Sequence, residues 1–436
     1  MRRMERVRRK SAWRAMLVGV ILTGVAVRVG EAQIKLEITG EGGRTIPIAV
    51  APVSPLGGGG EPRLSTEFTG VMTRDLDLSG YFQVLDSSHE EVLGGEGVTP
   101  ESINFQHWAD RGALALVKGG FVLEGNSLML EVRLFDVVQR KQLGGKRYRG
   151  ERKDARRMAH RFADQILLML TGELGPFDSR IAFVSTRGAR GRAKEIYITD
   201  VSGTQISAVT RDQSLSLSPG WNPSANRIGY CSYRQGGPYP HVFDLQARAP
   251  TRLIAAVGYS GGRWSPDGSR IVSSLEQEGN SDLFLLSPEG RKIRQLTEDS
   301  GINISPTWSP DGESLAFCSN RGGGVQIYVM NVNSGNVRRL TFRGDYNTSP
   351  SWSPKGDAIA YTTRSGGFHI MTIPVRGGEP REIASGEDPS WSPDGRYLVF
   401  STRGRLHLAR KDGHGSQQLT SGGGDDTSPA WSSRLE

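Results

Sequence analysis

The sequence predicts a two-domain protein, in which an N-terminal α/β domain precedes a C-terminal six-bladed β-propeller. Three observations lead to this prediction. A Trp-Ser-Pro-Asp-Gly motif recurs through the C-terminal part, strand and helix patterns alternate over residues 44–172, and no helical pattern appears after residue 180. A leader and a short arm come first, so the predicted boundaries are 1–32 for a signal peptide, 33–43 for the arm, 44–172, a linker at 173–179, and 180–436.

The first 32 residues have the pattern of a secretory signal peptide. Residues 1–14 are basic, and residues 15–27 form a 13-residue, largely apolar run that is too short to span a bilayer as a helix. Small residues at Gly30 and Ala32 predict cleavage before Gln33. No second apolar span and no Cys at the cleavage site appear, so we expect a mature chain that is neither inserted in a membrane nor lipid-anchored.

Most of the net positive charge of the chain lies in the predicted signal peptide. Residues 1–32 hold eight Lys/Arg and two Asp/Glu, a net charge of +6, which leaves +2 of the formal +8 for the rest of the chain. A nucleic-acid partner would need a basic stripe, and none is visible, so the sequence argues against one.

The predicted arm begins with Gln33, Ile34, Lys35, Leu36, Glu37 and Ile38. Two interpretations of this extended polar segment remain open. It is the first strand of the following domain, or it is a free arm that pairs with the edge of a partner's sheet.

The α/β domain follows from alternating strand and helix patterns. Strands are predicted at 46–53, 81–85, 114–123 and 128–137. Apolar residues at helical spacing predict two helices, and Gly172 is a plausible stop for the second. These residues are Leu64, Phe68 and Met72 in the first helix, and Met158, Phe162, Ile166 and Leu170 in the second.

The propeller follows from the repeats. Trp308-Ser-Pro-Asp-Gly312 has close copies whose successive Trp separations are 43, 44, 44, 39 and 40 residues, a period typical of propeller blades. Pro, Asp and Gly at these places predict a tight turn between strands. An alternating strand follows each turn, then a second strand, a third that ends near a Leu-Thr pair, and a short lead-in to the next Trp. The six Trp residues are 221, 264, 308, 352, 391 and 431.

The blade count follows from the two ends of the repeat region. The last repeat stops before the strand that should follow Trp431, and residues 180–185 match that missing strand without a Trp turn before them. We therefore predict that 180–185 completes the last blade and closes a ring of six. Each Trp is expected to be a packing residue between blades.

Motifs for catalysis or metal binding are weak. Gly258-Tyr259-Ser260-Gly-Gly262 matches the nucleophile-elbow pattern, but no helix follows it. His241, His369 and His407 sit at different points of their repeats, so we expect structural or surface histidines and no metal site. Cys231 and Cys318 lie two blades apart and are expected to be buried free thiols. We therefore predict no catalytic residues, no metal ligands and no cofactor.

The loops before the Trp residues are the candidate binding site. Four of them are rich in carboxylates and amides and occupy the same point of the repeat, so ring closure should bring them to one face. Such a cluster predicts a mouth for a protein segment or a cation, and solvated turn residues are the alternative. The candidate residues are Tyr259, Ser260, Asn303, Asp345, Tyr346, Asn347, Asp388, Asp425 and Asp426.

The order of domains, the segment at 34–38, Asp77-Leu-Ser-Gly-Tyr-Phe82 and Ser179-Arg-Ile-Ala-Phe183 together resemble the TolB family of the periplasmic Tol-Pal system. The resemblance implies a periplasmic, non-enzymatic adaptor that acts as a monomer. It implies that the propeller loops bind the lipoprotein Pal, that residues 33–38 engage TolA, and that other outer-membrane proteins are further partners. It also implies a role in outer-membrane invagination during division and in envelope integrity.

Three other classes of protein remain as alternatives. A prolyl-oligopeptidase-like enzyme carries similar turns but needs an α/β-hydrolase domain. A metal-dependent propeller hydrolase would hold an ion on three or four ligands in the channel. A propeller binder of another family is a third alternative.

Overall fold

The computed structural model describes residues 45–56, 61–86, 96–254, 256–258, 262–277, 279–298 and 301–435. The predicted signal peptide and arm, including Gln33 to Ile38, lie outside these ranges, as do Tyr259 and Ser260. None of the helices in the described ranges has both the length and the apolar composition needed to cross a membrane.

One sheet organises the N-terminal domain. Its strands lie in the order β3-β1-β4-β5-β6, with the short β2 also paired to β4. The β1 strand is parallel to both β3 and β4, whereas β4, β5 and β6 form an antiparallel meander. The strands are β1 (Ile46–Val50), β2 (Ser54–Pro55), β3 (Phe82–Leu85), β4 (Ala115–Glu124), β5 (Ser127–Asp136) and β6 (Lys141–Glu151).

Three helices cover this sheet, namely α1 (Pro62–Ser79), α2 (Phe105–Asp110) and α3 (Ala155–Thr171). Pro62 suits the start of α1, where its missing N–H needs no partner. Gly80 and Gly172 have φ of +69° and +78° and end α1 and α3 in the left-handed conformation that glycine adopts easily. The two predicted helices and the stop at Gly172 are confirmed. Short 3-10 turns precede α2 and α3.

The hydrophobic core of the N-terminal domain continues into the propeller. Phe162 and Ile166 of α3 belong to the same buried cluster as Phe183 and Tyr397 of the propeller. Hydrogen bonds cross the same boundary, since the Tyr397 hydroxyl donates to the Ser79 carbonyl at 2.9 Å. The helices α1 and α3 therefore lie between the sheet and the propeller, whereas α2 packs on the other face of the sheet.

Six four-stranded antiparallel sheets form the propeller, as predicted. Blade 1 comprises β10 (Ser216–Trp221), β11 (Arg227–Ser232), β12 (Tyr239–Asp244) and β13 (Ala249–Arg252). Blade 2 comprises β14 (Arg263–Trp264), β15 (Ile271–Gln277), β16 (Asn280–Leu286) and β17 (Lys292–Gln295). Blade 3 comprises β18 (Asn303–Trp308), β19 (Ser314–Ser319), β20 (Gln326–Asn331) and β21 (Val337–Arg339).

The other three blades complete the ring. Blade 4 comprises β22 (Asn347–Trp352), β23 (Ala358–Arg364), β24 (Phe368–Pro374) and β25 (Arg381–Ser385). Blade 5 comprises β26 (Glu387–Trp391), β27 (Tyr397–Thr402), β28 (Arg405–Arg410) and β29 (Gln417–Gln418). Blade 6 comprises β30 (Asp426–Trp431), β7 (Arg180–Ser185), β8 (Glu195–Asp200) and β9 (Ser207–Ala208).

Blade 6 closes the ring with strands from both ends of the propeller sequence. Asp426 pairs with Ser185 and Trp431 with Ile181, so the last strand of the chain is hydrogen-bonded to the first strand of the propeller. The predicted closure is confirmed. Because of this pairing, no strand edge is left open where the two ends of the propeller sequence meet.

The Trp motif forms the turn between the first two strands of a blade. In blade 3, Gly312 has φ of +71° and donates its N–H to the Ser309 carbonyl at 3.0 Å, while the Asp311 carboxylate accepts from the Glu313 N–H at 2.9 Å. Trp308 is buried against side chains of blades 2 and 3, and its Nε1 donates to the Arg263 carbonyl at 2.9 Å. The predicted turn and the predicted packing role of Trp308 are confirmed.

Candidate partner-binding face of the propeller

The loops that carry the candidate residues lie at one face of the propeller. In blades 3 to 6 the first strands, β18, β22, β26 and β30, each run from such a loop to a Trp. Because these strands are equivalent in a closed ring, their starting ends meet at one face and the Trp turns meet at the other. We call the first the loop face, formed by residues 301–303, 342–347, 386–388 and 421–426.

Three candidate residues are the first residues of these strands and are fully buried. Asn303 donates from Nδ2 to Asp282 Oδ1 at 3.2 Å, and Asn347 donates from Nδ2 to Gln326 Oε1 at 2.9 Å. Asp426 accepts from Arg187 Nε at 3.0 Å and Nη2 at 2.5 Å. Asn303 and Asn347 thus tie their loops to the preceding blade, and Asp426 ties its loop to the segment that follows residue 185.

The Leu-Thr pair of the repeat belongs to the same hydrogen-bond network. The Thr341 hydroxyl donates to Gln326 Oε1 at 2.7 Å and accepts from the Ile327 N–H at 2.9 Å. Thr297 makes the same two kinds of bond with Asp282 and Leu283 in blade 2. In blades 2, 3, 5 and 6 the Thr hydroxyl therefore accepts from a buried backbone N–H near the start of the third strand.

Asp388 points into the central channel instead. Its Oδ1 accepts from the Ser349 hydroxyl at 2.6 Å and its Oδ2 from the Ser428 hydroxyl at 2.8 Å, so it joins the two flanking blades. Burial and then the neighbouring Asp388 carboxylate raise the pKa of Glu387 above its ordinary value.

The channel repeats this local conformation in five of the six blades. The residue before Pro has φ between +48° and +55°, a left-handed conformation that is costly for residues other than glycine. In all five strand pairs concerned, a register shift typical of a β-bulge spans this residue and the Pro that follows it. Together these residues line a cavity of about 300 Å³. They are Ser218, Ser305, Ser349, Asp388 and Ser428.

The exposed members of the candidate set are Asp345, Tyr346 and Asp425. Tyr346 is 39% exposed, and sequence reasoning missed two further aromatic side chains beside it, Phe342 at 72% and Phe368 at 37%. The sequence could have indicated Phe342 as unusual, because this residue directly follows a Leu-Thr pair. Other repeats have polar residues there, namely Arg211, Glu298 and Ser421.

Arginine side chains flank these aromatic rings. The guanidinium of Arg339 lies 5.0 Å from the centroid of the Phe342 ring, and that of Arg364 lies 5.9 Å from the centroid of the Tyr346 ring. Arg343, between the two aromatic residues in sequence, forms an exposed ion pair with Glu379 at 2.6 Å. The loop face therefore combines exposed aromatic, cationic and acidic groups. The sequence analysis named the carboxylates, the amides and Tyr346 of this face but not its cationic groups.

The three histidines considered as metal ligands each contact a residue of their own blade. His241 is hydrogen-bonded to the Tyr239 carbonyl at 2.8 Å, His369 pairs with Glu382 at 2.8 Å, and His407 stacks on Phe400. Over the described ranges, no group of three His, Cys, Asp or Glu side chains is arranged to hold a metal. Both cysteines are buried and free, as predicted.

Two family models match this chain. The model described as the TolB beta propeller domain matches residues 168–435, and the model described as the TolB amino-terminal domain matches residues 34–143.

Curated relatives carry the same family name. Proteins named "Tol-Pal system protein TolB" are 38% identical over 212 residues in Syntrophotalea carbinolica and 36% identical over 259 residues in Desulfosudis oleivorans. The matched regions cover 48% and 59% of this chain and 49% and 58% of the relatives. The chain thus spans about half of the length of these relatives.

Solved structures give a wider match. The crystal structure of TolB from Acinetobacter baumannii superposes with a TM-score of 0.77 at 26% identity, covering 89% of this chain and 97% of that one. A chain from a nidogen/laminin complex reaches a TM-score of 0.50 at 10% identity, over 59% of this chain and 100% of its own length, which shows likeness of fold alone.

Proposed function

Because the chain belongs to the TolB family, we propose that it is a periplasmic adaptor of the Tol-Pal system. In this proposal the propeller binds the lipoprotein Pal through the loop face, and the segment from Gln33 to Ile38 binds TolA. The adaptor has no catalytic activity, and it supports outer-membrane invagination during division and outer-membrane integrity.

One observation carries the Pal part of this proposal. Phe342 and Tyr346 are exposed on the loop face, and Phe368 is exposed next to it, where its carbonyl accepts from the Gly386 N–H at 2.9 Å. Arg343 and Arg364 lie beside these aromatic residues. Aromatic and arginine residues dominate the binding energy of protein interfaces. The buried residues Asn303, Asn347 and Asp426 have a separate role in this proposal, which is to fix the loops that present the exposed ones.

The TolA part rests on family membership, since residues 33–38 lie outside the described ranges. It is tested separately, by deleting these residues from the mature chain. Binding to the periplasmic part of TolA is expected to disappear, while binding to Pal stays within about twofold, a change of roughly 0.4 kcal/mol.

The Pal part is tested by surface plasmon resonance with the mature chain, residues 33–436, and purified Pal from the same organism. The double variant Phe342→Ser/Tyr346→Ser removes two exposed aromatic rings without touching the buried network. If each is worth about 2 kcal/mol, the combined loss in affinity is several hundredfold, and a loss of about 30-fold or more supports the proposal.

A matched control is Ile293→Ser, because Ile293 is 55% exposed on β17, the outermost strand of blade 2. This control is expected to bind Pal as the unchanged chain does. Equal affinity of the double variant and the unchanged chain would exclude these aromatic residues as the binding site.

A further inference from the structure

A cleft lined by basic residues lies at the junction of the two domains, at the Trp-turn end of blades 4 and 5. Its volume is about 440 Å³, within the roughly 300–1,000 Å³ of ligand pockets, and it is bounded by Tyr81 of the N-terminal domain and Glu173 of the linker. Five cationic side chains line it against two acidic ones, Glu173 and Asp412. The cations are Lys355, Arg381, Arg396, Arg410 and Lys411. We call it the basic cleft.

Two of these cations form the fixed floor of the basic cleft. Arg396 and Arg410 place their guanidinium groups 5.8 and 5.4 Å from the centroid of the Tyr81 ring. Arg396 also binds Asp394 at 2.6 Å and Arg410 binds Asp412 at 2.7 Å. Their positions are therefore set by the fold, and part of their charge is already compensated.

Two of the other three cations, Arg381 and Lys411, are exposed at the rim and have donor groups without a carboxylate partner in the described part of the chain. Arg381 is exposed and donates one hydrogen bond, from Nη2 to the Asp412 carbonyl at 2.8 Å. Lys411 is exposed, and its ammonium group has no hydrogen bond or ion pair within the described part of the chain. Such groups gain from a carboxylate partner without first losing another one.

The chain already places one of its own carboxylates in the basic cleft. Glu173, in the linker, accepts from Lys355 Nζ at 3.2 Å on both oxygens and lies 3.9 Å from Arg396. Burial alone would raise the pKa of Glu173, but the hydrogen bond from Lys355 and the charges of Lys355, Arg396 and Lys411 lower it. The cleft thus already holds a carboxylate, and Glu173 contacts two of its five cations, Lys355 and Arg396.

We propose that the basic cleft binds an acidic, Asp- and Glu-rich segment of a partner protein, which displaces Glu173 from Lys355. The excess of cations provides the charge complementarity, and the concave shape between two domains suits an extended chain better than a flat bilayer, which would reach only the rim. This site goes beyond the proposed function, because it lies at the opposite end of the propeller from the loop face.

The proposal is tested with a fluorescein-labelled eight-residue peptide of alternating Glu and Ser, and with the matched peptide of Gln and Ser. Fluorescence anisotropy with the mature chain is expected to show binding of the Glu peptide only. That binding should weaken as salt rises from about 50 to 300 mM, because rim charges are screened within about 10 Å. Equal binding of the two peptides would overturn the proposal.

Variants locate the site. The double variant Arg381→Gln/Lys411→Gln removes two exposed rim cations. It is expected to weaken binding of the Glu peptide about tenfold, because each exposed pair of a cation and a carboxylate contributes up to about 1 kcal/mol. Glu173→Gln frees Lys355 and is expected to tighten binding about threefold. The control Lys146→Gln/Arg376→Gln changes the net charge equally at two exposed positions outside the cleft, and it should bind as the unchanged chain does.

Three results would contradict the proposal. In the first, the control double variant loses as much affinity as the rim double variant. In the second, the rim double variant binds like the unchanged chain. In the third, vesicles with an anionic phospholipid bind in a manner that depends on Arg381 and Lys411 while the Glu peptide does not, which would assign the cleft to phosphate groups of a lipid surface.

Discussion

A buried ionic cluster joins the two domains, and replacing His160 by Leu should destabilise the chain. His160 on α3 lies between two carboxylates, with Nδ1 at 2.6 Å from Asp75 Oδ2 and Nε2 at 3.4 Å from Asp200 Oδ2. Arg156 binds Asp200 at 2.7 Å, on the propeller side of the cluster. Asp75 is fully buried and its Oδ1 has no hydrogen-bond partner in the described part of the chain, so its compensation depends on His160.

The magnitude follows from the charge that His160→Leu leaves behind. Removing one partner of a buried ion pair costs about 3–5 kcal/mol, because the remaining charge is uncompensated. The effect also depends on pH. Burial alone would lower the pKa of His160, but the carboxylates of Asp75 and Asp200 outweigh it and raise the pKa to about 10. Because the pKa of His160 is higher in the folded chain than its value near 6.5 in the unfolded chain, protonated His160 stabilises the fold fully below pH 6.5. This contribution is lost as the pH rises through 10.

Urea-induced unfolding, followed by intrinsic tryptophan fluorescence, measures both effects. At pH 6.5 the His160→Leu variant should unfold with about 3–5 kcal/mol less free energy than the unchanged chain. The gap should narrow steadily between pH 6.5 and 10. His414→Leu, at an exposed turn, is the matched control and should show no such gap. A gap below about 1 kcal/mol, or one that does not change with pH, would refute this account of the cluster.

Two further predictions concern the blades. Thr341→Val keeps the shape of the side chain but removes the hydroxyl that accepts from the Ile327 N–H, and Gln326 Oε1 keeps only its bond from Asn347. The variant should lower the free energy of unfolding by about 1–3 kcal/mol, whereas Ser334→Ala at an exposed turn should change it by less than about 0.5 kcal/mol. Equal effects of the two would contradict the role given to the Leu-Thr pair. Burial raises the pKa of Cys231 to about 12 and that of Cys318 to about 11, so neither thiol should react with Ellman's reagent at pH 8 until the chain is unfolded, when two thiols per chain should appear. Rapid reaction in the folded state would contradict the burial.

The architecture could be predicted because it repeats. A period of about 40 residues, with Trp, Pro and Gly at fixed places, fixes the turn, the strand order and the closure by residues 180–185. The sequence analysis did not predict β6 or α2, because their local patterns are weak. The β6 strand, Lys141–Glu151, is a polar edge strand with two adjacent glycines, and α2 is six residues long, which is too short to show helical periodicity.

The loop face was predictable only in part. The repeat indicated correctly that the polar loops lie at one face, but it could not indicate which side chains turn inward. Asn303 and Asn347 are buried against Asp282 and Gln326, which lie on the third strand of the preceding blade, and such contacts between blades depend on packing. The exposed Phe342 could have been found by comparing residues after each Leu-Thr pair.

The most direct test of the adaptor proposal is recovery of partners from the native envelope. The mature chain, residues 33–436, is used as bait in an envelope extract of its own cells, beside the Phe342→Ser/Tyr346→Ser variant, and bound proteins are identified by mass spectrometry. The proposal predicts that the unchanged chain recovers a peptidoglycan-binding lipoprotein and that the variant does not. Recovery of that lipoprotein in equal amounts by both, or by neither folded bait, would contradict it.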